Sequence, residues 1–146
     1  MFINREEELA GLETHCRSGK AELFILYGRR RVGKTELLRV FCQGKPHIFF
    51  IATTASREAQ LARFTGQVLT FQDIPAAGLI FPSWDNAFER LAQLPGRPVV
   101  VLDEFTYLVG GDPAIPSILQ KAWDTVLRHS QVFLVLCGSY VGMMER

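Results

Sequence analysis

Five apolar residues, Leu23-Phe24-Ile25-Leu26-Tyr27, run straight into Gly28-Arg29-Arg30-Arg31-Val32-Gly33-Lys34-Thr35. The first segment is an unbroken run of strand length, and the second fits G-x-x-x-x-G-K-[ST]. Glu36-Leu37-Leu38-Arg39-Val40-Phe41 continues with helix formers and places Leu37, Val40 and Phe41 on one face. A strand, a glycine turn and a helix in that order bare consecutive backbone N–H groups at a helix N-terminus, whose dipole favours negative charge. The ligand this predicts is a phosphate. Gly28, Arg29, Arg30, Arg31, Val32, Gly33, Lys34, Thr35 and Glu36 are the candidate binding residues. Within them Lys34 is the mobile cation for the outer phosphates, and Thr35 offers its hydroxyl to a magnesium ion.

The rest of the chain repeats the alternation. Apolar runs recur at 47–51, 99–102 and 132–136, with helical patterns between them. Asn4 caps a first helix, with Glu7 three residues on and Leu9, Leu12 and Cys16 at helical spacing, ending at Gly19. Ser56 caps a helix over 57–70 with Ala59, Leu61, Phe64 and Val68 inward, and Ser83 caps another carrying Trp84, Phe88 and Leu91. Residues 72–82, with their prolines and glycine, read as irregular, and 110–113 as a loop before a helix over 116–128. Wholly apolar strands alternating with helices predict an α/β fold, a mostly parallel sheet covered on both faces in three αβα layers. Ligands of such sheets lie beyond the carboxyl ends of the strands. Gly28, Asp103, Glu104 and Ser139 all fall there.

Val99-Val100-Val101-Leu102 followed by Asp103-Glu104 is a Walker B pattern. Its two carboxylates divide the labour: Asp103 holds magnesium opposite Thr35, and Glu104 polarises the water that attacks the γ-phosphorus. Ser139, at the end of the fourth strand, reads as a sensor of the γ-phosphate. The candidate catalytic set is thus Glu104, Lys34 and Ser139, with Thr35 and Asp103 as magnesium ligands. Tyr107 and Trp123 read as packing residues.

Composition narrows the classes. At 146 residues the chain is expected to be one domain, and 48% hydrophobic content is enough to build its core. A net charge of +1 supplies no basic field, so there is no direct nucleic-acid signal in this segment. Three cysteines, Cys16, Cys42 and Cys137, form no C-x-x-C pair, and Cys42 and Cys137 sit in apolar surroundings as buried thiols. A reducing, cytoplasmic location fits this usage. The N-terminus is polar from Asn4 to Glu8, unlike a signal peptide, and the apolar stretches are of strand length, too short for a membrane span.

These residues together resemble the archaeal-type ATPase family of P-loop proteins, within the STAND and AAA+ assemblage. The matching segments are Phe2-Ile3-Asn4-Arg5-Glu6-Glu7-Glu8-Leu9, Tyr27 through Leu37, Val101-Leu102-Asp103-Glu104-Phe105 and Leu136-Cys137-Gly138-Ser139. The resemblance implies an ATP- and ADP-binding core with sheet order 5-1-4-3-2 and an adenine pocket lined by Phe2, Ile3 and Arg5. It also implies that Asp103 is the magnesium-side carboxylate, Glu104 the catalytic base and Ser139 the first sensor. The chain contains no N-K-x-D element for guanine. Family members continue past residue 146 with a fifth strand, a helical lid or winged-helix region and a variable C-terminal effector domain. The expectation is therefore a P-loop ATPase domain over 1–146, truncated at its C-terminal end. Its first strand would be a bare sheet edge, pairing in a homo-oligomer or edge-paired dimer. The activity implied is magnesium-dependent ATP hydrolysis driving a conformational switch, with slow or no turnover by this segment alone. A non-catalytic nucleotide-binding regulatory module and a small-molecule kinase are the alternatives.

Overall fold

The computed structural model describes residues 6–27 and 33–138. Four strands, β1 (Glu22–Tyr27), β2 (His47–Ile51), β3 (Val99–Asp103) and β4 (Phe133–Gly138), form one sheet in the order β1-β4-β3-β2, with every pairing parallel. The described residues also form six helices, α1 before the first strand and the others between strands: α1 (Glu6–Cys16), α2 (Lys34–Cys42), α3 (Arg57–Phe71), α4 (Trp84–Leu91), α5 (Phe105–Gly111) and α6 (Ile115–Thr125). A 3₁₀ turn over Leu127–His129 leads into β4. The observed order is the 1-4-3-2 part of the expected one.

The period of two along each strand sorts the sheet residues between two cores. Val99, Val101, Phe133, Val135 and Cys137 pack with Leu12 of α1 and with Leu37, Leu38 and Phe41 of α2. Val100, Leu102, Leu134 and Leu136 pack on the other face against α3 to α6. β3 and β4 are buried along their whole length, as sheet-centre strands covered on both faces must be. The larger core is knit by aromatic rings: Phe64 meets Phe50 edge-on at 5.3 Å and lies 5.3 Å from Trp84, which lies 5.3 Å from Phe88.

The predicted caps of α3 and α4 are formed. Ser56 Oγ accepts from Ala59 N at 3.1 Å, and Ser83 Oγ accepts from Asn86 N at 3.2 Å. Three expectations need correction. Gly110 and Gly111, expected to open a loop over 110–113, instead close a helix, α5, that begins at Phe105. On α3, Leu61, Phe64 and Val68 are buried as expected, but Ala59 is exposed and Gln60 is fully buried in its place. The last helix of the core ends at Thr125 rather than 128.

Candidate functional site

α2 starts at the carboxyl end of β1, and its N-cap is Gly33 at φ 79°. Glycine takes this left-handed conformation without steric cost, and its carbonyl accepts from Leu37 N at 2.9 Å to open the helix. Lys34 and Thr35 are the first two helical residues. Lys34 is only 8% exposed, an unusual depth for an ammonium group. The Thr35 hydroxyl donates to Asp103 Oδ2 at 2.7 Å, joining residues 68 positions apart in the chain. This is a short, charge-assisted bond.

Asp103 ends β3 and is 3% exposed. Its second oxygen, Oδ1, accepts from Glu104 N at 2.8 Å, so both carboxylate oxygens are held. Its backbone carbonyl accepts from Ala52 N at 3.0 Å, which ties it to the end of β2. Glu104 stands at φ 55°, ψ 45°, in the left-handed region that a residue with a Cβ rarely adopts. It turns the chain from strand to helix in one residue, and its carbonyl accepts from Tyr107 N at 2.9 Å as α5 begins. Backbone strain of this kind concentrates at functional sites.

α5 is fastened to the loop after β2. The buried amide of Gln60 accepts from Thr53 N at 3.0 Å and donates to the Tyr107 carbonyl at 3.4 Å. At the end of α5 a Cβ on Gly111 would lie 3.1 Å from the Ala55 carbonyl, so only glycine allows this approach without displacement. Arg57 Nη1 lies 3.7 Å from Asp112 Oδ2 across the same joint.

A third strand end contributes a thiol. Leu102 pairs with Leu136, and one residue further Cys137 comes within electrostatic reach of the Asp103 carboxylate. Burial first, then the charge of Asp103, push the Cys137 thiol far up, while the Lys34 ammonium pulls it down and Glu104 adds to the rise. The thiol therefore stays protonated.

Of the sequence-predicted residues, Thr35 and Asp103 are in contact, Lys34 and Glu104 lie within electrostatic reach of the same thiol, and Glu36 is exposed in the first turn of α2. Gly33 is the N-cap of that helix. Phe2, Ile3, Arg5, Gly28, Arg29, Arg30, Arg31, Val32 and Ser139 lie outside the described residues. Two contributors escaped the sequence reading. Cys137 was visible only as a buried thiol, since the register of β3 against β4 is a tertiary fact. Gln60 carried no signal beyond its place beside the expected apolar stripe.

A parallel αβα sheet with a Lys-Thr helix start bonded to an acidic strand end defines a P-loop ATPase type of fold. The family of ATPase domains found predominantly in Archaea matches residues 2–146, and the chain belongs to that family. An uncharacterized protein of Methanocaldococcus jannaschii, MJECL04, is 29% identical over 144 residues, which are 99% of this chain and 31% of that protein. An uncharacterized ATP-binding protein of the same organism, MJ0423, is 58% identical over 45 residues, covering 31% of this chain and 76% of the relative. Among solved structures, the Walker-type ATPase PABY2304 of Pyrococcus abyssi superposes with a TM-score of 0.71 at 25% identity, over 98% of this chain and 47% of that one. The chain thus spans about a third of the first relative and about half of the solved structure. No helix among the described residues is long and apolar enough to cross a membrane.

Proposed function

We propose that residues 1–146 form a P-loop domain that binds ATP with magnesium and hydrolyses it, the hydrolysis driving a conformational switch. The observation that carries this reading is the 2.7 Å bond between Thr35 and Asp103. It brings the start of the phosphate-binding helix and the acidic end of β3 to one point. The pair fits magnesium by its chemistry: two hard oxygen donors, one of them a carboxylate, with phosphate and water oxygens to supply the rest. When bound, the ion would neutralise charge on the β- and γ-phosphates. Thr35 and Asp103 are the residues to hold it. Lys34 places a positive charge on the outer phosphates, and the Thr35 hydroxyl and Glu104 amide keep the Asp103 carboxylate oriented.

In hydrolysis the oxygen of water attacks the γ-phosphorus, the bond from phosphorus to the bridging oxygen breaks, and ADP leaves with the electron pair. Glu104 accepts the proton lost by the water. Family resemblance supports main-chain contacts to adenine from Phe2, Ile3 and Arg5, phosphate contacts from 28–32, and a sensor role for Ser139. The cysteine usage supports a cytoplasmic setting.

Calorimetry with ATP and magnesium, and single-turnover phosphate release with protein in excess, test the reading. Binding is expected in the parent chain and lost in Lys34→Ala. Glu104→Gln is expected to keep binding and lose phosphate release. Binding unchanged in Lys34→Ala refutes the phosphate assignment. Parent binding without any phosphate release leaves a nucleotide-binding module that does not catalyse.

A further inference from the structure

β2 forms one edge of the described sheet, and one side of its backbone is unpaired. The ladder to β3 fixes which groups these are. Val99 N donates to the Pro46 carbonyl, and Ala52 N donates to the Asp103 carbonyl. In a parallel pair, alternate residues bond to the same neighbour. Ile48 and Phe50 therefore turn their amide groups to β3, and His47, Phe49 and Ile51 turn theirs outward. Arg63 Nη2 closes the Ile51 carbonyl at 2.7 Å. The N–H and carbonyl of Phe49 have no partner among the described residues.

A groove of about 560 Å³ lies along this edge between β2 and α3. His47, Phe49, Arg63, Gly66, Gln67 and Phe71 contribute to its lining. Gly66 keeps it open, since a Cβ there would meet nothing within 4 Å. The Oε1 of Gln67 is buried with no hydrogen-bond partner, a costly state for an acceptor. No carboxylate lines the groove, whose titratable side chains are His47 and Arg63. On the other face of β2, Arg39 stands over the Phe49 ring at 4.5 Å. Neither Arg39 nor Arg63 has an ion-pair partner among the described residues.

We propose that this edge binds an extended acidic peptide segment of a partner protein as an added strand. Main-chain bonds to Phe49 give the attachment, as in other cases of strand addition. Side chains alternate along such a strand, so acidic residues on its two faces meet Arg63 on one side and Arg39 on the other. The proposal is independent of the nucleotide reading.

The test is fluorescence polarisation with a fluorescein-labelled hexapeptide in which each valine is followed by two glutamates, which puts glutamate on both faces of the strand. Its controls replace glutamate by lysine or methylate the backbone nitrogens. Binding of the acidic peptide alone is expected. Arg63→Gln is expected to weaken it about tenfold. Gly66→Gln, which adds a good helix former in open space and so preserves folding, is expected to weaken it by at least about tenfold by filling the groove. Failure of the acidic peptide to bind overturns the proposal, as does equal binding of the lysine or methylated peptide. Sedimentation showing a dimer that Gly66→Gln dissociates also overturns it, by assigning the edge to a second copy of this chain.

Discussion

The left-handed backbone at Glu104 makes a prediction whose sign reverses the ordinary rule. At a regular helical position alanine is more stable than glycine by about 1 kcal/mol. At φ 55° the Cβ of alanine meets the steric cost of the left-handed region, roughly 1–2 kcal/mol. Glycine escapes that cost and gives back about 0.5–1 kcal/mol through the greater entropy of its unfolded chain. Glu104→Gly should therefore be more stable than Glu104→Ala by about 0.75 kcal/mol at the middle of these ranges, and by about 1.5 kcal/mol at most. For a chain of this length the middle value is a melting point higher by roughly 2–3 °C. Both variants lack the carboxylate and its contacts, so their difference isolates the backbone. Urea unfolding of the two proteins, with equal m-values, measures it. An alanine variant as stable as the glycine variant, or more so, would refute the claim that Glu104 is held under strain. If the sign is as worked, a glutamate rather than a glycine occupies the position at a cost in stability. That is the expected signature of a side chain retained for what it does.

Three further outcomes follow from the same geometry. Asp103→Ala removes the acceptor of both Thr35 and the Glu104 amide, so nucleotide affinity should lose its dependence on magnesium, whereas Lys34→Ala should weaken binding with or without the ion; paired calorimetric titrations with and without magnesium separate them. Phe64→Ala empties the centre of the aromatic cluster, where Phe64 is fully buried against Phe50, Trp84 and Phe88, and should cost about 3–5 kcal/mol in urea unfolding. Burial pushes the Cys42 thiol up to about 11 from 9.0, so the folded state holds the proton that the unfolded state releases. Stability from this group is complete below pH 9 and lost as pH rises towards 11. Cys42→Ala should flatten that part of the pH–stability profile, and an unchanged alkaline slope would contradict it.

What could be read from the chain, and what could not, divides along physical lines. The strands over 22–27 and 47–51 were legible because continuous apolar runs end in glycine, proline or polar residues, and that pattern is local. α5 was not legible. Its seven residues end in Gly110-Gly111 and include Thr106 and Val109, all poor helix formers, and it forms because Phe105, Leu108 and Val109 are buried against the sheet and its helices. Gln60 misled the reading of α3 for a related reason, since a polar side chain enters a core only when tertiary partners await it. Those partners show how the site is built. Four polar or charged residues are buried among the described ones: Lys34, Gln60, Thr65 and Asp103. Thr65 serves the scaffold, bonding the Leu61 carbonyl and accepting from Phe81 N to pin the loop before α4. The other three act at the carboxyl end of the sheet. Lys34 and Asp103 stand at the starts and ends that the motifs mark, and Gln60 secures the helix that Glu104 begins. Burying a polar group is worth its desolvation only where the bonds it makes are specific. Here those bonds fix two things: the orientation of the Asp103 carboxylate, and the seat of a helix that starts from a strained residue.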